Sequence, residues 1–278
     1  MGRRNVLVAL LLGMALLYSL TLSAGANAPV ATGNRSSPVL GKLGLINLAH
    51  ENHPKRTSGF PGDPKFTLTT SFTVQDDGFY LQYVKEGEHT GTHWAAPCHF
   101  RKGAACADDL KPLDLYLPAA VVDVRAKAAV NPDYEVTVAD LKGFEARYGR
   151  IPHGAAVIAW TGWGRKWGTP AYFNMDSNGD MHQPGFSLES VRWLIQTQRL
   201  GRRGALGTDT FGPDPATDVH YRASSLLLRR HRIDLENLTR LGHLPPIGAY
   251  VLVGGPINNR GSGSTAIIWG LVPRSASS

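Results

Sequence analysis

The chain has 278 residues, 42% of them hydrophobic and 18% charged, with 31 glycines and 18 prolines. That balance excludes a disulfide-held miniprotein, a long coiled coil and wholesale disorder, and leaves a loop-rich globular protein large enough to bury a sizeable core. The net charge of +7 comes from 29 Lys and Arg against 22 Asp and Glu; its clusters, Arg202-Arg203 and Arg229-Arg230-His231-Arg232, lack interleaved aromatics, so they read as solvated faces and no nucleic-acid partner is expected.

In chain order, residues 1–28 carry a basic start (Arg3, Arg4), an apolar stretch from Val6 to Leu22 and small residues at Ala24, Ala26 and Ala28. This is the layout of a cleaved secretory signal, so the protein is expected to be exported and to keep no stable membrane span after cleavage. A retained anchor is the competing reading, because the apolar stretch approaches spanning length. Residues 29–40 are rich in Pro, Gly, Ser, Thr and Asn and predict a flexible lead-in. Residues 41–278 show no internal repeat and no further linker, and predict one α/β domain.

The first half of that domain reads as β-rich. Phe66–Val74 and Phe79–Val84 have strand composition, and Ala119–Val124 reads as a buried strand. Thr137-Val138-Ala139-Asp140 has the spacing of a capping box, and the helix it opens should stop at Gly149. The second half alternates strand and helix. Ala155–Trp160 is a strand; Leu188, Val191, Leu194 and Ile195 recur at helical spacing between Ser187 and Gly201. A strand at Ala205–Thr208, a helix around Ala223–Arg230 and strands at Tyr250–Val253 and Ala266–Leu271 complete the pattern.

One segment carries the chemistry: His89-Thr90-Gly91-Thr92-His93-Trp94-Ala95-Ala96-Pro97-Cys98-His99-Phe100. Imidazoles four apart share one side of a helical turn and can offer lone pairs to one cation. Gly91 frees the backbone for an unusual conformation, and Pro97 stops a long helix. The pattern predicts a divalent-metal site; hydrogen-bonded surface histidines are the plain alternative. Cys98 and Cys106, the only cysteines, form a disulfide or stay two thiols, and the sequence leaves both open.

The segment also resembles the signature of the cyclase family that includes bacterial kynurenine formamidase and isatin hydrolase. That signature is His-x-Gly-Thr-His-x-Asp-x-Pro-x-His, and every fixed position from His89 to His99 is kept except the Asp, which is Ala95. Further matches are Thr161-Gly162-Trp163, Pro184-Gly185-Phe186-Ser187, Gly207-Thr208-Asp209-Thr210, Leu235-Glu236-Asn237-Leu238, Leu244-Pro245-Pro246 and Gly261-Ser262-Gly263. The resemblance implies the family's α/β fold, a homodimer or higher oligomer, and a divalent-metal hydrolase. Its small-molecule substrate would be an amide, lactam or ester, as in the arylformamidase step of tryptophan catabolism.

Residue by residue, the resemblance implies that His89 and His93 hold the metal and that His99 is the catalytic acid or base. Glu236 matches a carboxylate that binds a second metal, while Ser224 stands where that second site has a histidine. With Ala95 and Ser224 in place of two ligands, one zinc or manganese ion is expected rather than two. Trp94 and Trp163 are read as core or substrate-pocket wall, His182 as pocket or surface loop and Ser224 as pocket, while Asp209 braces a loop. Two other readings stay open: a metal-assisted cyclase of polyketide metabolism, and a small-molecule binder that kept the fold without the chemistry.

Overall fold

The apolar runs of the sequence become strands, and in chain order these are β1 (Leu43–Asn47), β2 (Thr67–Phe72), β3 (Leu81–Lys85), β4 (His93–Ala95), β5 (Tyr116–Asp123), β6 (Glu135–Val136), β7 (Ala156–Trp160), β8 (Gly185–Phe186), β9 (Ala205–Thr208), β10 (Ile233–Glu236), β11 (Ile247–Gly254), β12 (Gly263–Thr265) and β13 (Ile267–Pro273). The helices are α1 (Val74–Asp77), α2 (Arg125–Val130), α3 (Val138–Tyr148), α4 (Leu188–Gln196) and α5 (Arg222–Leu227). The computed structural model describes residues 42–255 and 260–274, which fall within one unit, Pro38–Ser278. The expected signal and lead-in lie outside the described residues.

Nine strands form one sheet in the order β1-β13-β11-β5-β7-β9-β10-β4-β12. The neighbours β5, β7, β9 and β10 run parallel, and the flanking pairs are antiparallel. This sheet cannot be flat. β12 and β13 are separated by Ala266 alone yet stand seven strands apart in that order. In a flat sheet those seven steps would be about 34 Å, against roughly 3.4 Å for one residue of strand. The sheet therefore curls until its ends meet. At the seam, Ala49 bridges Leu238, Thr239 N–H donates to Leu48 O at 2.9 Å, and Ala266 N–H donates to Thr92 O at 3.0 Å.

Strand period two then sorts the side chains. Ala119 and Val121 enter an interior cluster with Leu48, Trp94, Ile158, Leu235 and Val251. Ala120 and Val122 face outward and pack with Leu141 and Phe144 of α3, Val191 and Leu194 of α4 and Leu227 of α5. The capping box at Thr137 forms as its spacing predicts: Thr137 Oγ1 accepts the Asp140 N–H, and Asp140 Oδ2 accepts the Thr137 N–H. Two helix ends differ from the sequence reading. The helix after Ser187 stops at Gln196 rather than Gly201, because the Thr197 hydroxyl takes the Trp193 carbonyl and Gln198 turns left-handed at φ 62°. The helix near Ala223 ends at Leu227 rather than Arg230. Strands β1, β4, β6, β8, β10 and β12, runs of two to five residues, were not expected, because segments this short carry little periodicity.

The hairpin of β2 and β3 stands apart from the large sheet. Phe72, Phe79, Tyr80, Tyr83 and Val84 on it are exposed. Among the described residues, no helix is long and apolar enough to cross a membrane.

Candidate active site

The site begins at a turn that only glycine can make. Gly91 has φ +65°, and a Cβ there would lie 2.0 Å from Asn52 Oδ1. The turn delivers His93 into β4, so the four-residue spacing of His89 and His93 works through a turn and a strand, not through the helical turn expected from the sequence. Trp94 points into the interior, which leaves His93 and Ala95 on the outer face. Across the antiparallel pair, Glu236 is the register partner of His93 and Asp234 that of Ala95. A short 3-10 turn at Pro97–His99 brings His99 back beside His89, with ring centroids 4.1 Å apart, while His89 meets His93 edge-on at 4.9 Å.

Hydrogen bonding assigns the imidazole protons. The Gly91 carbonyl can only accept, so His93 Nδ1, 3.0 Å away, carries a proton and donates it, which turns Nε2 toward the pocket. That Nε2 is buried, has no aligned hydrogen bond and sits 3.1 Å from Glu236 Oε2. Asn237, left-handed at φ 54°, holds the same carbonyl through its Nδ2 at 2.8 Å. Ser262 Oγ donates to Glu88 Oε2 at 2.7 Å and therefore accepts from His89 Nε2 at 2.9 Å, leaving His89 Nδ1 with a lone pair.

Charge follows from burial and neighbours. Burial, then the nearby His93 and His99, push His89 down to about 2. Burial also presses His93 down, but the Glu236 carboxylate outweighs it and holds His93 above the usual imidazole value. His99 stands at the pocket mouth with an open outer edge, yet desolvation by the walls behind it still lowers its pKa. At neutral pH His89 and His99 are thus uncharged.

These groups line a cavity of about 560 Å³, within the range of small-molecule sites. Phe60, Phe100, Met175, Met181, Phe211 and Tyr221 form its apolar walls. Asp63, from the Pro61-Gly62-Asp63-Pro64 turn, faces His93, His99 and Glu236 across it; desolvation raises its pKa most, while His93 opposes the shift. Asp214 lines the floor, with burial lifting its carboxyl to about 6.

The structure brings together His89, His93, His99, Glu236 and Ser224 as lining residues of this one cavity. Ser224 has its hydroxyl and N–H committed to Asp214, which also takes the Ala223 N–H at 2.6 Å. The other three pocket assignments need correction. Trp94 is interior core, because alternation along β4 turns it away from His93. Trp163 lies one layer behind the wall, packed with Tyr172 and Phe211, its Nε1 donating to Tyr172 O at 2.8 Å. His182 turns outward from between the lining residues Met181 and Gln183, to Asp133 at 2.8 Å and Asp176 at 3.8 Å. Asp209 braces the Thr161–Gly164 loop, accepting the Thr161 N–H and hydroxyl and the Gly164 N–H. Cys98 and Cys106, left open between a disulfide and two thiols in the sequence, are joined as a disulfide.

Sequence reasoning missed Asp63, Asp214 and Asp234. The first two sit on Pro-containing turns, where an Asp ordinarily caps backbone and nothing local says which cavity it enters.

The donors fit a divalent cation. His93 shows the arrangement common to metal-binding imidazoles, with Nδ1–H donated to a backbone carbonyl and Nε2 turned toward a carboxylate. Among the described residues no three such side chains converge on one point as they stand, so binding requires them to draw together within the pocket. His89, His93 and Glu236 are the groups placed to do so.

Comparison with known proteins places this arrangement. Residues 37–215 match the protein family described as putative cyclase. The chain belongs to the cyclase family. Among its relatives, the isatin hydrolase of Roseibium aggregatum is 31% identical over 220 residues, 76% of this chain and 82% of that protein. The kynurenine formamidase of Salinibacter ruber is 28% identical over 219 residues, 77% of this chain and 91% of its own. The crystal structure of an isatin hydrolase bound to the product analogue thioisatinate has a TM-score of 0.78 at 27% identity, covering 85% of this chain and 95% of that one. The curled α/β fold is therefore the family's. Like its cyclase-family relatives, the chain is a hydrolase acting on a C–N bond.

Proposed function

We propose that the pocket opens the C–N bond of a small cyclic or N-acyl carbonyl compound, of the isatin or N-formylkynurenine kind, with one zinc or manganese ion. The observation that carries this reading is the buried His93 Nε2 turned on Glu236 Oε2 at 3.1 Å inside an aromatic-walled cavity that also holds His89 and His99. When bound, the cation polarises the substrate carbonyl and acidifies water. His99, neutral at pH 7, takes a proton from the attacking water and returns it to the departing nitrogen. Asp63, facing His99, stabilises the imidazolium formed in between. Phe60, Phe100 and Phe211 hold a planar ring and exclude bulk water.

Two further parts belong to this proposal. The exposed aromatic hairpin of β2 and β3 supports a homodimer or higher oligomer, since contiguous apolar surface of this kind is seldom left to water. Export through residues 1–28 is supported by the Cys98–Cys106 disulfide, which suits an oxidising compartment.

The test is hydrolysis of isatin and of N-formylkynurenine by the purified protein, before chelation, after it, and with zinc or manganese restored. Turnover of at least one compound, lost with chelator and regained with metal, is expected. Metal bound without turnover of either would favour a binder, and cyclisation of a polyketide substrate without net hydrolysis would favour a cyclase.

A further inference from the structure

Residue 95 sits on the outer face of β4 but ends at its Cβ. Its register partner Asp234, on β10, reaches across to it. Asp234 Oδ1 accepts the Ala95 N–H at 3.1 Å, while Oδ2 is buried with no hydrogen-bond partner. The residue is 0% exposed. The charged groups acting on it most strongly are Glu236, two residues along the same face, and Asp214, both carboxylates. A buried carboxylate among carboxylates is unfavourable unless a proton or a cation is shared between them. Beside it on the same face, His93 Nε2 is likewise buried and without a hydrogen-bond partner.

We propose that Asp234 supplies from β10 the anionic ligand that residue 95 cannot supply from β4, so that His89, His93, Asp234 and Glu236 form the donor set for the divalent cation. This inference rests on the metal-dependent reading above. The exchange is possible because directly opposed residues of an antiparallel pair hold their Cβ atoms about 4.5–5.5 Å apart, so a carboxylate on either strand reaches the same point. The two positions then compete for one space. From the sequence alone, Ala95→Asp would be expected to add a ligand and tighten metal binding; with Asp234 already seated opposite, it adds a second negative charge to an occupied place.

Isothermal titration with manganese and with zinc, on the metal-stripped protein and three variants, tests this. Asp234→Asn should weaken binding by about tenfold or more. Ala95→Asp alone should leave affinity unchanged or lower. The double variant Ala95→Asp with Asp234→Asn, which moves the carboxylate across the pair, should recover most of the loss. In chelator, Asp234→Asn should melt within about a degree or two of the parent, because the amide oxygen still accepts the Ala95 N–H; a residue serving only to hold that N–H would do the same but leave metal affinity untouched. Parent-like affinity in Asp234→Asn, or tighter binding in Ala95→Asp alone, would overturn the proposal and leave the hydrolase reading standing. If Asp234→Asn does not fold, the Ala95→Asp result decides. A parent that binds neither ion would overturn both.

Discussion

On the inner side of the β4 and β10 pair, Trp94 and Leu235 enter the barrel interior, 2% and 0% exposed, in one apolar cluster with Leu48, Ile158 and Val251. On the outer side, one residue away along each strand, His93 and Asp234 are buried as deeply and yet carry polar atoms without hydrogen-bond partners. The same two short strands therefore do opposite things. Alternation lets one face supply packing energy while the other holds groups whose proper partners arrive with ligand or metal. Unsatisfied buried polar groups cost stability, so a site of this kind persists only where the reverse face is well packed.

The sharpest way to break this division is Trp94→Ala. It should destabilise the fold by about 3–5 kcal/mol, as large-to-small changes of a buried aromatic do, measured by denaturant unfolding in chelator. The folded fraction should still bind metal, since no donor has been removed. A cost below about 1 kcal/mol would show that the inner face is not what holds the pair together.

A smaller effect belongs to the outer side. Burial keeps the Asp214 carboxyl at about 6, against 3.8 when exposed, so the folded protein retains this proton to a higher pH than the unfolded chain does. Its contribution favours folding below pH 4 and is lost as pH rises through 6, a swing of about 3 kcal/mol. In chelator, the difference in stability between the parent and Asp214→Asn should shift by that order across this window, with the parent losing ground as pH rises. A flat difference curve would place Asp214 in a far wetter setting.

The smallest effect is expected at His182. Its ring pairs with Asp133 and Asp176 outside the cavity, so His182→Ala should leave kcat/KM for the pocket's substrate unchanged. A clear loss would mean that the 175–183 loop swings His182 inward during turnover.

The same contrast explains what the sequence discloses. The longer packed elements, Ala119–Val124, Ala155–Trp160 and the capped helix at Thr137, announce themselves because continuous apolar runs and capping boxes are local signals. The imidazole cluster is equally legible, since three histidines and a left-handed glycine fall within eleven residues. What stays hidden is everything made by long-range pairing. Asp234 lies 139 residues from Ala95 and reads locally as a polar residue in a short strand; only the register shows that the two side chains share one place. The same holds for Trp94 and His182, assigned to the pocket through neighbours in sequence when alternation and a turned loop carry them elsewhere.

The most direct test of a metal-dependent hydrolase on the outer face is metal content by elemental analysis, paired with chelator-reversible hydrolysis, in the parent and in His93→Ala. The parent should carry about one divalent ion per chain and lose turnover with it, while His93→Ala should carry essentially none, turn over nothing and melt in chelator like the metal-stripped parent. A His93→Ala variant that keeps both its ion and its rate would contradict the assignment of this face as the catalytic centre.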